Sequence, residues 1–458
     1  MSLGIVGYGA YLPVHRLDLA EVAATLGTPP AGGSRVVASF DEDSTTMAVA
    51  AARALAVAGG VDALWFATTS PAYAEKTNAA AVHAALGLGG DGFAVDVAGS
   101  PRSAEGALRA AGALGGIAVL ADVRVGLPGS ADERAAADGA AAFRFGPERD
   151  ALAVPVARAC ATAELLDRRR LPTELTVSQW EDRFGLEVYS PLVVEVAGRA
   201  LVDAGIPSAD LVVVSGAHTR AAADAANRLG VTDPLRLGNA GAADPGLRLA
   251  DALDRALPGQ TILAVSLADG VDATVWRVTD RIGDARPVMT VRQMLAAGTP
   301  VPYATYLTWR GLLDREPGRR PEPDRPAGPP AARTTDWKFA FVGSRCDKCG
   351  FVHLPPARVC ASCRTVGQMS PAPPAEATGT VATFTVDRLA YSLSPPLVSV
   401  VVDFDGGGRC MLEVADARPD TVAVGSRVAL TFRRLWTSGG VHNYFWKACL
   451  SGGESVGQ

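Results

Sequence analysis

The sequence predicts an α/β fold that is duplicated along the chain and followed by a cysteine-rich ribbon and a small β-barrel. In residues 1–280, short apolar runs alternate with helical patterns, as is typical of strands buried on both faces of a sheet. Four of the seven cysteines fall within residues 346–363. Residues 379–450 are dominated by strand patterns separated by glycine-rich turns, which indicates a barrel of four or five strands. The predicted strands include 64–67, 117–120, 211–214 and 262–265 in the first region, and 380–389, 397–404, 427–432 and 444–449 in the last.

An internal repeat indicates that the α/β region holds two copies of one unit. Residues 53–70 and 199–215 share an order of features: Arg-Ala-Leu, then Ala-Gly, then an aspartate and an apolar strand that ends in serine. Each copy continues with an alanine-rich helix, predicted at 77–86 and 220–229, and then with a turn, a second helix and a strand. Alanine-rich helices can resemble one another by chance, but the matching order of elements favours a duplication.

The composition excludes several functional classes. The chain has 458 residues, 48% of them hydrophobic and 20% charged, which suits two or three domains. A net charge of -5 and short basic runs give no electrostatic reason to bind nucleic acid. No apolar run reaches the ~20 residues that span a bilayer, and the first residues lack the pattern of a signal peptide. We therefore expect a soluble, cytoplasmic protein that binds neither nucleic acid nor membranes.

Shifts in composition predict five segments. The two α/β halves are expected at 1–155 and 156–285, a helix and linker at 286–335, the ribbon at 336–375 and the barrel at 376–458. Within the third segment, apolar residues at helical spacing predict a helix near 303–313. Residues 316–335 are rich in proline and arginine, and we expect them to form an extended linker.

The four clustered cysteines predict a metal site. Cys346 and Cys349 form one C-x2-C pair, and Cys360 and Cys363 form a second. Two such pairs supply the tetrahedral set of thiolates that Zn²⁺ prefers, with iron as the alternative. Four protein ligands leave no open position, so the metal is expected to be structural. His353 lies between the pairs and is interpreted as a loop residue rather than a ligand.

The α/β region also carries motifs of a known family. They are GIVGYGAYLP (4–13), DLVVVSGAH (210–218), GNAGAA (238–243) and LADGVDA (267–273). These motifs resemble those of the thiolase superfamily, in the branch that holds HMG-CoA synthases and type III ketoacyl synthases. The resemblance implies a five-layer αβαβα fold, a CoA or acyl carrier protein thioester as substrate, and a homodimer.

The C-terminal region resembles a second group of proteins. Residues 336–450 are similar to the zinc-ribbon and OB-fold proteins that accompany acyl-CoA thiolases as partner subunits. The resemblance implies that the barrel is an OB fold that helps to enclose the acyl or CoA end of the substrate. Aromatic residues of the barrel could instead stack on nucleic acid, but their simpler interpretation is as core. Here the partner and the α/β region are fused in one chain.

The resemblance assigns two catalytic residues, His218 and Asn239. Claisen and aldol chemistry on a thioester places negative charge on the carbonyl oxygen, and N–H donors from a neutral imidazole and an amide stabilise that charge. The histidine can also exchange a proton with substrate. Both residues follow predicted strands or turns at which side chains leave the sheet. A histidine after a strand is often structural, but the asparagine turn that follows favours the catalytic interpretation.

The nucleophilic cysteine of the family is missing. Counting five residues from Asp96 places Pro101 at its position, with Ser100 beside it. The segment 68–71, which matches the catalytic glutamate of HMG-CoA synthases, reads Thr-Thr-Ser-Pro. Cys160, the first cysteine of the chain, is interpreted as a small core residue. Chemistry through a cysteine acyl-enzyme is therefore not expected.

Three functions remain open. The first is aldol or retro-aldol chemistry next to an acyl-CoA thioester, with Tyr73, Tyr303 or Tyr306 as the proton-transfer group, although each tyrosine also suits a packed aromatic. The second is Claisen-type acyl transfer through Ser100, with His218 as its base. The third is a protein that binds or scaffolds acyl-CoA without turnover.

Overall fold

The computed structural model describes residues 3–55, 60–166, 168–179, 181–316, 324–325, 327–373, 378–390 and 392–451. The chain divides into two structural units. The first comprises Met1–Ala38, Asp43–Val82 and Gly89–Leu313, and the second comprises Ser39–Glu42, His83–Leu88 and Asp314–Gln458. The repeated Ala-Gly pair at 58–59 and the linker residues 317–323 and 326 lie outside the described residues.

The first unit contains the predicted alternation of strands and helices. Its strands are β1 (Leu3–Tyr11), β2 (His15–Asp18), β3 (Ser34–Val37), β4 (Ala63–Thr68), β5 (Phe93–Ala98), β6 (Gly116–Asp122), β7 (Gly139–Pro147), β8 (Ala153–Thr162), β9 (Arg168–Arg169), β10 (Ser178–Gln179), β11 (Leu211–Gly216), β12 (Thr261–Leu267), β13 (Gly270–Val278) and β14 (Thr299–Val301). Its helices are α1 (Leu19–Leu26), α2 (Ser44–Arg53), the first four residues of α3 (Ala79–Ala85), α4 (Ser103–Leu114), α5 (Ala131–Ala135), α6 (Asp182–Asp203), α7 (Thr219–Arg228), α8 (Asp244–Arg255), α9 (Val291–Ala296) and α10 (Tyr303–Trp309).

The main strands form a mixed sheet in the order β11-β12-β13-β8-β1-β7-β6-β4-β5. The two halves of the repeat meet where Ile5 of β1 pairs with Ala153 of β8, so the domain boundary expected at 155/156 falls inside β8. Helix α2 packs on the first half, and α6 and α7 pack on the second. Helices α4 and α8 lie between the halves, since α8 contacts β11 and β12 of its own half and β7 of the other. This is the predicted five-layer αβαβα fold.

The central helices pack closely because they present small apolar residues. Ala104, Ala107 and Ala111 of α4 are buried, as are Leu247 and Ala250 of α8, and all five belong to the same hydrophobic cluster. Short side chains at helical spacing allow helices and sheets to approach at the density of a protein interior.

The second half lacks one strand of the first. The order strand, helix, turn, helix, strand is present in both halves, but residues 231–240, all of them described, form no counterpart of β5. Pro234 has no N–H to give to a sheet ladder. Arg248 of α8 donates instead to the carbonyls of Leu235 and Leu237, at 3.3 and 3.1 Å. These carbonyls are satisfied by a side chain, so the segment runs as an irregular turn.

The second unit, where described, contains the ribbon and the barrel. Its elements are α11 (Gly328–Arg333), α12 (Thr335–Lys338), β15 (Gly343–Cys346), β16 (Val352–His353), β17 (Met369–Ala372), β18 (Gly379–Asp387), β19 (Leu397–Phe404), β20 (Arg409–Glu413), β21 (Arg427–Ser438) and β22 (Val441–Leu450). Strands β16-β15-β17 form the ribbon, and β20-β19-β18-β21-β22 form the OB-fold barrel. A bridge between Val414 and Ala448 closes the barrel beside β20 and β22.

The linker prediction was wrong over part of its length. Residues 328–335 were expected to be extended, but 328–333 form α11 and α12 begins at Thr335. Helix α11 begins with a proline at its N-terminal positions, where the missing N–H costs no hydrogen bond, and it continues through two alanines. No helix in the described ranges is long and apolar enough to cross a membrane.

Candidate active site

A cavity of about 280 Å³ opens in the first unit, at the carboxyl ends of its strands. Parallel strands bring their carboxyl ends to one edge of the sheet, which is where α/β proteins commonly bind ligands. The cavity is lined by residues that follow β4, β5, β6, β11 and β12. They include Thr69, Ser100, Pro101, Arg124, His218 and Asp269.

His218 is held in one orientation by the start of α7. The residue is buried and forms the N-cap of this helix, where its Nδ1 accepts a hydrogen bond of 3.0 Å from the N–H of Ala221. An Nδ1 that accepts carries no proton, so the neutral ring holds its proton on Nε2. The imidazole can therefore act as an N–H donor in the cavity. The Tyr189 ring lies 6.1 Å from the imidazole, centroid to centroid.

Ser100 and Asp269 both line the cavity wall. The Ser100 Oγ accepts from the N–H of Arg102 at 3.2 Å, and the hydroxyl lies near the Asp269 carboxylate. Burial raises the pKa of Asp269, and the nearby Glu164 acts in the same direction, whereas Ser100 and Arg102 lower it. Asp269 has a φ of 47°, and its main-chain oxygen accepts from Arg102 Nη1 at 2.8 Å. This turn between β12 and β13 therefore holds a carboxylate in a conformation that an aspartate rarely adopts.

Asn239 is fixed beside the cavity rather than among its lining residues. Its side-chain oxygen accepts from the N–H of Gly241 at 3.0 Å, and Nδ2 donates to Asp244 at 3.1 Å. The main chain of Asn239 pairs with Ala135 and Ala137. An amide nitrogen has two N–H groups, so the second N–H has no partner among the described residues.

Asp122 ties the Asn239 turn to the end of β4. This buried carboxylate accepts from the hydroxyls of Thr68, Thr69 and Ser70, at 2.9, 2.7 and 3.1 Å. It also accepts from the N–H groups of Thr69, Ser70 and Ala242. The segment that matches the family's catalytic glutamate thus serves to anchor Asp122 in this chain.

The three candidate tyrosines lie outside the lining of the cavity. Tyr73 is partly buried, and its ring lies under Lys76. Tyr303 is buried and donates its hydroxyl to Glu133 at 3.0 Å, while the Tyr306 hydroxyl accepts from Arg35 at 2.9 Å.

The interpretation of Cys160 as a core residue was wrong. Side chains alternate across β8, and Ala159 and Ala161 occupy the covered face. Cys160 is exposed in this chain, with its sulfur 3.8 Å from Arg109 Nη1.

Asp269 and Tyr189 were missed by sequence reasoning. Asp269 lies in a motif quoted above, and the Asp-Gly pair was the available signal for a turn with positive φ. Tyr189 gave no signal, because an aromatic on the apolar face of a helix is typical of core.

The four ribbon cysteines meet in the second unit. Their sulfurs lie within 4.8 Å of one another, with Cys346 and Cys363 at 3.6 Å and Cys349 and Cys360 at 3.5 Å. Tetrahedral Zn–S bonds of about 2.3 Å place sulfurs roughly 3.8 Å apart, so the set fits zinc. His353 lies in β16, opposite Ser344.

Comparison with known proteins identifies the family of the first unit. The chain is 30% identical to the hydroxymethylglutaryl-CoA synthase of Aeropyrum pernix over 344 residues, covering 68% of this chain and 95% of that protein. It is 31% identical to the hydroxymethylglutaryl-CoA synthase of Pyrobaculum calidifontis over 347 residues, covering 68% and 98%. The chain belongs to the hydroxymethylglutaryl-CoA synthase family.

Solved structures agree on the fold of this family member. An HMG-CoA synthase complexed with CoA matches with a TM-score of 0.59 and 15% identity, over 69% of this chain and 92% of that one. The 3-oxoacyl-(acyl carrier protein) synthase III of Pseudomonas aeruginosa matches with a TM-score of 0.53 and 19% identity, over 63% and 100%.

The second unit matches two family models, as the sequence predicted. Residues 339–366 match the rubredoxin-like zinc ribbon domain of ChsH2, and residues 372–433 match the C-terminal OB-fold domain of ChsH2. The four cysteines therefore form a structural zinc site. The chain joins a condensing-enzyme fold to a zinc ribbon and an OB fold.

Proposed function

We propose that this protein makes or breaks a carbon–carbon bond next to the thioester of an acyl-CoA, by aldol or retro-aldol chemistry without a cysteine acyl-enzyme. The observation that carries the proposal is the composition of one cavity. His218, Ser100 and Asp269 all line it, and its described lining contains no cysteine. The residues thus offer a donor for a developing oxyanion and a base, but no thiolate nucleophile.

In the cleavage direction, the Asp269 carboxylate removes the proton from the β-hydroxyl group of a β-hydroxyacyl-CoA. The Cα–Cβ bond breaks, the hydroxyl carbon leaves as a ketone or aldehyde, and the bonding electron pair passes to the thioester carbonyl as an enolate. The His218 Nε2–H donates to the enolate oxygen. Asn239 is not among the residues that line the cavity, and its role as a further donor remains a prediction. Asp269 then returns its proton to Cα. Condensation is the reverse, and neither direction needs an oxidant or reductant.

The position of Ser100 favours one alternative. Ser100 and the Asp269 carboxylate line the same cavity, and a serine nucleophile needs a base beside it. In this second candidate, Ser100 attacks the thioester, Asp269 takes its proton, CoA leaves, and an acyl-serine results. In the first candidate, Tyr73 is the alternative to Asp269 as the proton-transfer group.

A turnover assay separates Asp269 from Tyr73. The substrates are β-hydroxyacyl-CoAs, and acyl-CoAs mixed with aldehydes. Each is incubated with wild type, Asp269→Asn or Tyr73→Phe, and chromatography of the CoA thioesters measures turnover. We expect Asp269→Asn to lower turnover about 10²- to 10⁴-fold, since it removes the acid–base group, and Tyr73→Phe to change it little. The opposite pattern assigns the proton transfer to Tyr73. Exposed Asp91, replaced by asparagine, is the matched control.

We further propose a homodimer in the cytoplasm, with a CoA or carrier-protein thioester as substrate. Strand β5 is at one end of the sheet order, and its Phe93 is 55% exposed. An edge strand with an exposed aromatic is a surface that a second copy can cover. Light scattering coupled to size-exclusion chromatography measures the mass, and a monomer at micromolar concentration contradicts this proposal.

A further inference from the structure

The cavity wall carries more positive than negative charge. Arg124, Arg168, Arg169 and Arg170 line it, with Asp269 as the one carboxylate among the described lining residues. Arg168 has a carboxylate partner, because it donates to both oxygens of Asp132 at 2.7 and 2.8 Å. Arg170 donates to main-chain carbonyls, which leave its charge uncompensated.

Arg124 is the arginine of this set whose environment points to a ligand. Its main chain is fixed, since its N–H donates to Asp138 at 2.7 Å and its carbonyl accepts from Arg35. Its guanidinium makes no hydrogen bond or ion pair with any described residue. Burial lowers the pKa of Arg124, and the nearby Asp122 opposes this effect.

The neighbouring carboxylates are already committed. Asp122 accepts from three hydroxyls and three main-chain N–H groups, and Asp132 is paired with Arg168. A partly buried guanidinium without its own anion carries a desolvation cost that a bound anion offsets. The planar fork of arginine matches a carboxylate in a two-bond geometry.

We propose that Arg124 binds a carboxylate of the substrate, so that the acyl group or the carbonyl acceptor carries a second acid group. This inference rests on the proposed function for the thioester and adds the class of its substrate. The phosphates of CoA are the other anions in such a ligand, and the exposed Arg169 and Arg170 suit them better than the partly buried Arg124 does.

Binding rather than turnover tests the inference, so that it can fail separately from the proposed function. Calorimetric titration gives Kd for glutaryl-CoA, for its carboxyl-free counterpart butyryl-CoA, and for the two pantetheine thioesters that lack the CoA phosphates. The proteins are wild type, Arg124→Met, Arg124→Lys and Arg170→Met. Thermal unfolding of each variant checks the fold, and the main-chain contacts of Arg124 do not depend on its side chain.

We expect wild type to bind the glutaryl thioesters about 10- to 100-fold more tightly than the butyryl ones, in both the CoA and the pantetheine series. Arg124→Met should remove this preference, and Arg124→Lys should keep part of it. Arg170→Met should lower the affinity for both CoA thioesters by the same factor. Equal affinity of wild type for both acyl groups overturns the inference. The inference is also overturned if Arg124→Met lowers the affinity for both CoA thioesters and for neither pantetheine thioester, because Arg124 then binds phosphate. If wild type prefers the glutaryl thioesters but neither makes nor breaks a carbon–carbon bond, the proposed function is refuted and this inference stands.

Discussion

At the scale of single residues, His218 caps a helix with one ring nitrogen, and we propose that the other acts on the substrate. Nδ1 caps α7 through Ala221, and this contact directs the proton to Nε2. Structural and chemical roles of a histidine are therefore not alternatives here: the cap sets the tautomer that the proposed chemistry needs.

The two tasks can be separated by substitution. Asparagine is a good N-cap, so His218→Asn should keep the cap and unfold close to the wild-type temperature, yet lose the Nε2 donor. We expect kcat to fall about 10²- to 10³-fold. His218→Ala should lose kcat similarly and also about 1 kcal/mol of stability. Steady-state kinetics and thermal unfolding check both variants, and an active His218→Asn enzyme refutes the role of the imidazole.

Asp269 sets the expected pH dependence. Its pKa is raised by burial, and a base acts only when ionised, so turnover should rise with pH through a value above the ordinary aspartate range. Glu105 also titrates in this region, because burial, aided by Asp272, raises its pKa to about 7. Turnover of wild type, Asp269→Asn and Glu105→Gln is measured across pH. The rise should persist in Glu105→Gln and vanish in Asp269→Asn; the reverse assigns it to Glu105.

At the scale of elements, the zinc ribbon is the part most completely specified by nearby residues. All four ligands come from 346–363 and converge without help from distant segments. Zinc content, measured by mass spectrometry of the metal, should be one ion per chain. Cys360→Ser should lose zinc, because three thiolates remain, whereas Cys410→Ser in the barrel should retain it. Full zinc in Cys360→Ser contradicts the assigned ligand set.

The sequence predicted those elements that local patterns determine. Strand β19 begins and ends where the apolar run predicted, and α7 is within one residue of its prediction. Strand β20 was not predicted, since its Arg-Cys-Met-Leu-Glu sequence alternates too weakly to stand out. The position of Cys160 depended on which face of β8 the helices cover, and a single strand does not reveal that.

The candidate site was predictable only in part, for a related reason. His218 and Ser100 came from motifs, and the structure brings both to one cavity with Asp269. Arg124 and Tyr189 reach the same cavity from β6 and α6, elements far apart in the chain. Their meeting depends on tertiary packing, which leaves no local pattern in the sequence.

At the scale of the whole molecule, the chain combines a condensing-enzyme fold with a zinc ribbon and an OB fold, while the cysteine position reads proline. We propose that carbon–carbon chemistry proceeds in this fold without an acyl-enzyme. The most direct test is mass spectrometry of the intact protein, wild type and Ser100→Ala, after incubation with acyl-CoAs. The thioester products are analysed in the same reactions. We expect no added mass on the protein, together with a changed carbon skeleton in the CoA product. A gain equal to the acyl group that disappears in Ser100→Ala would contradict the claim and establish a serine acyl-enzyme.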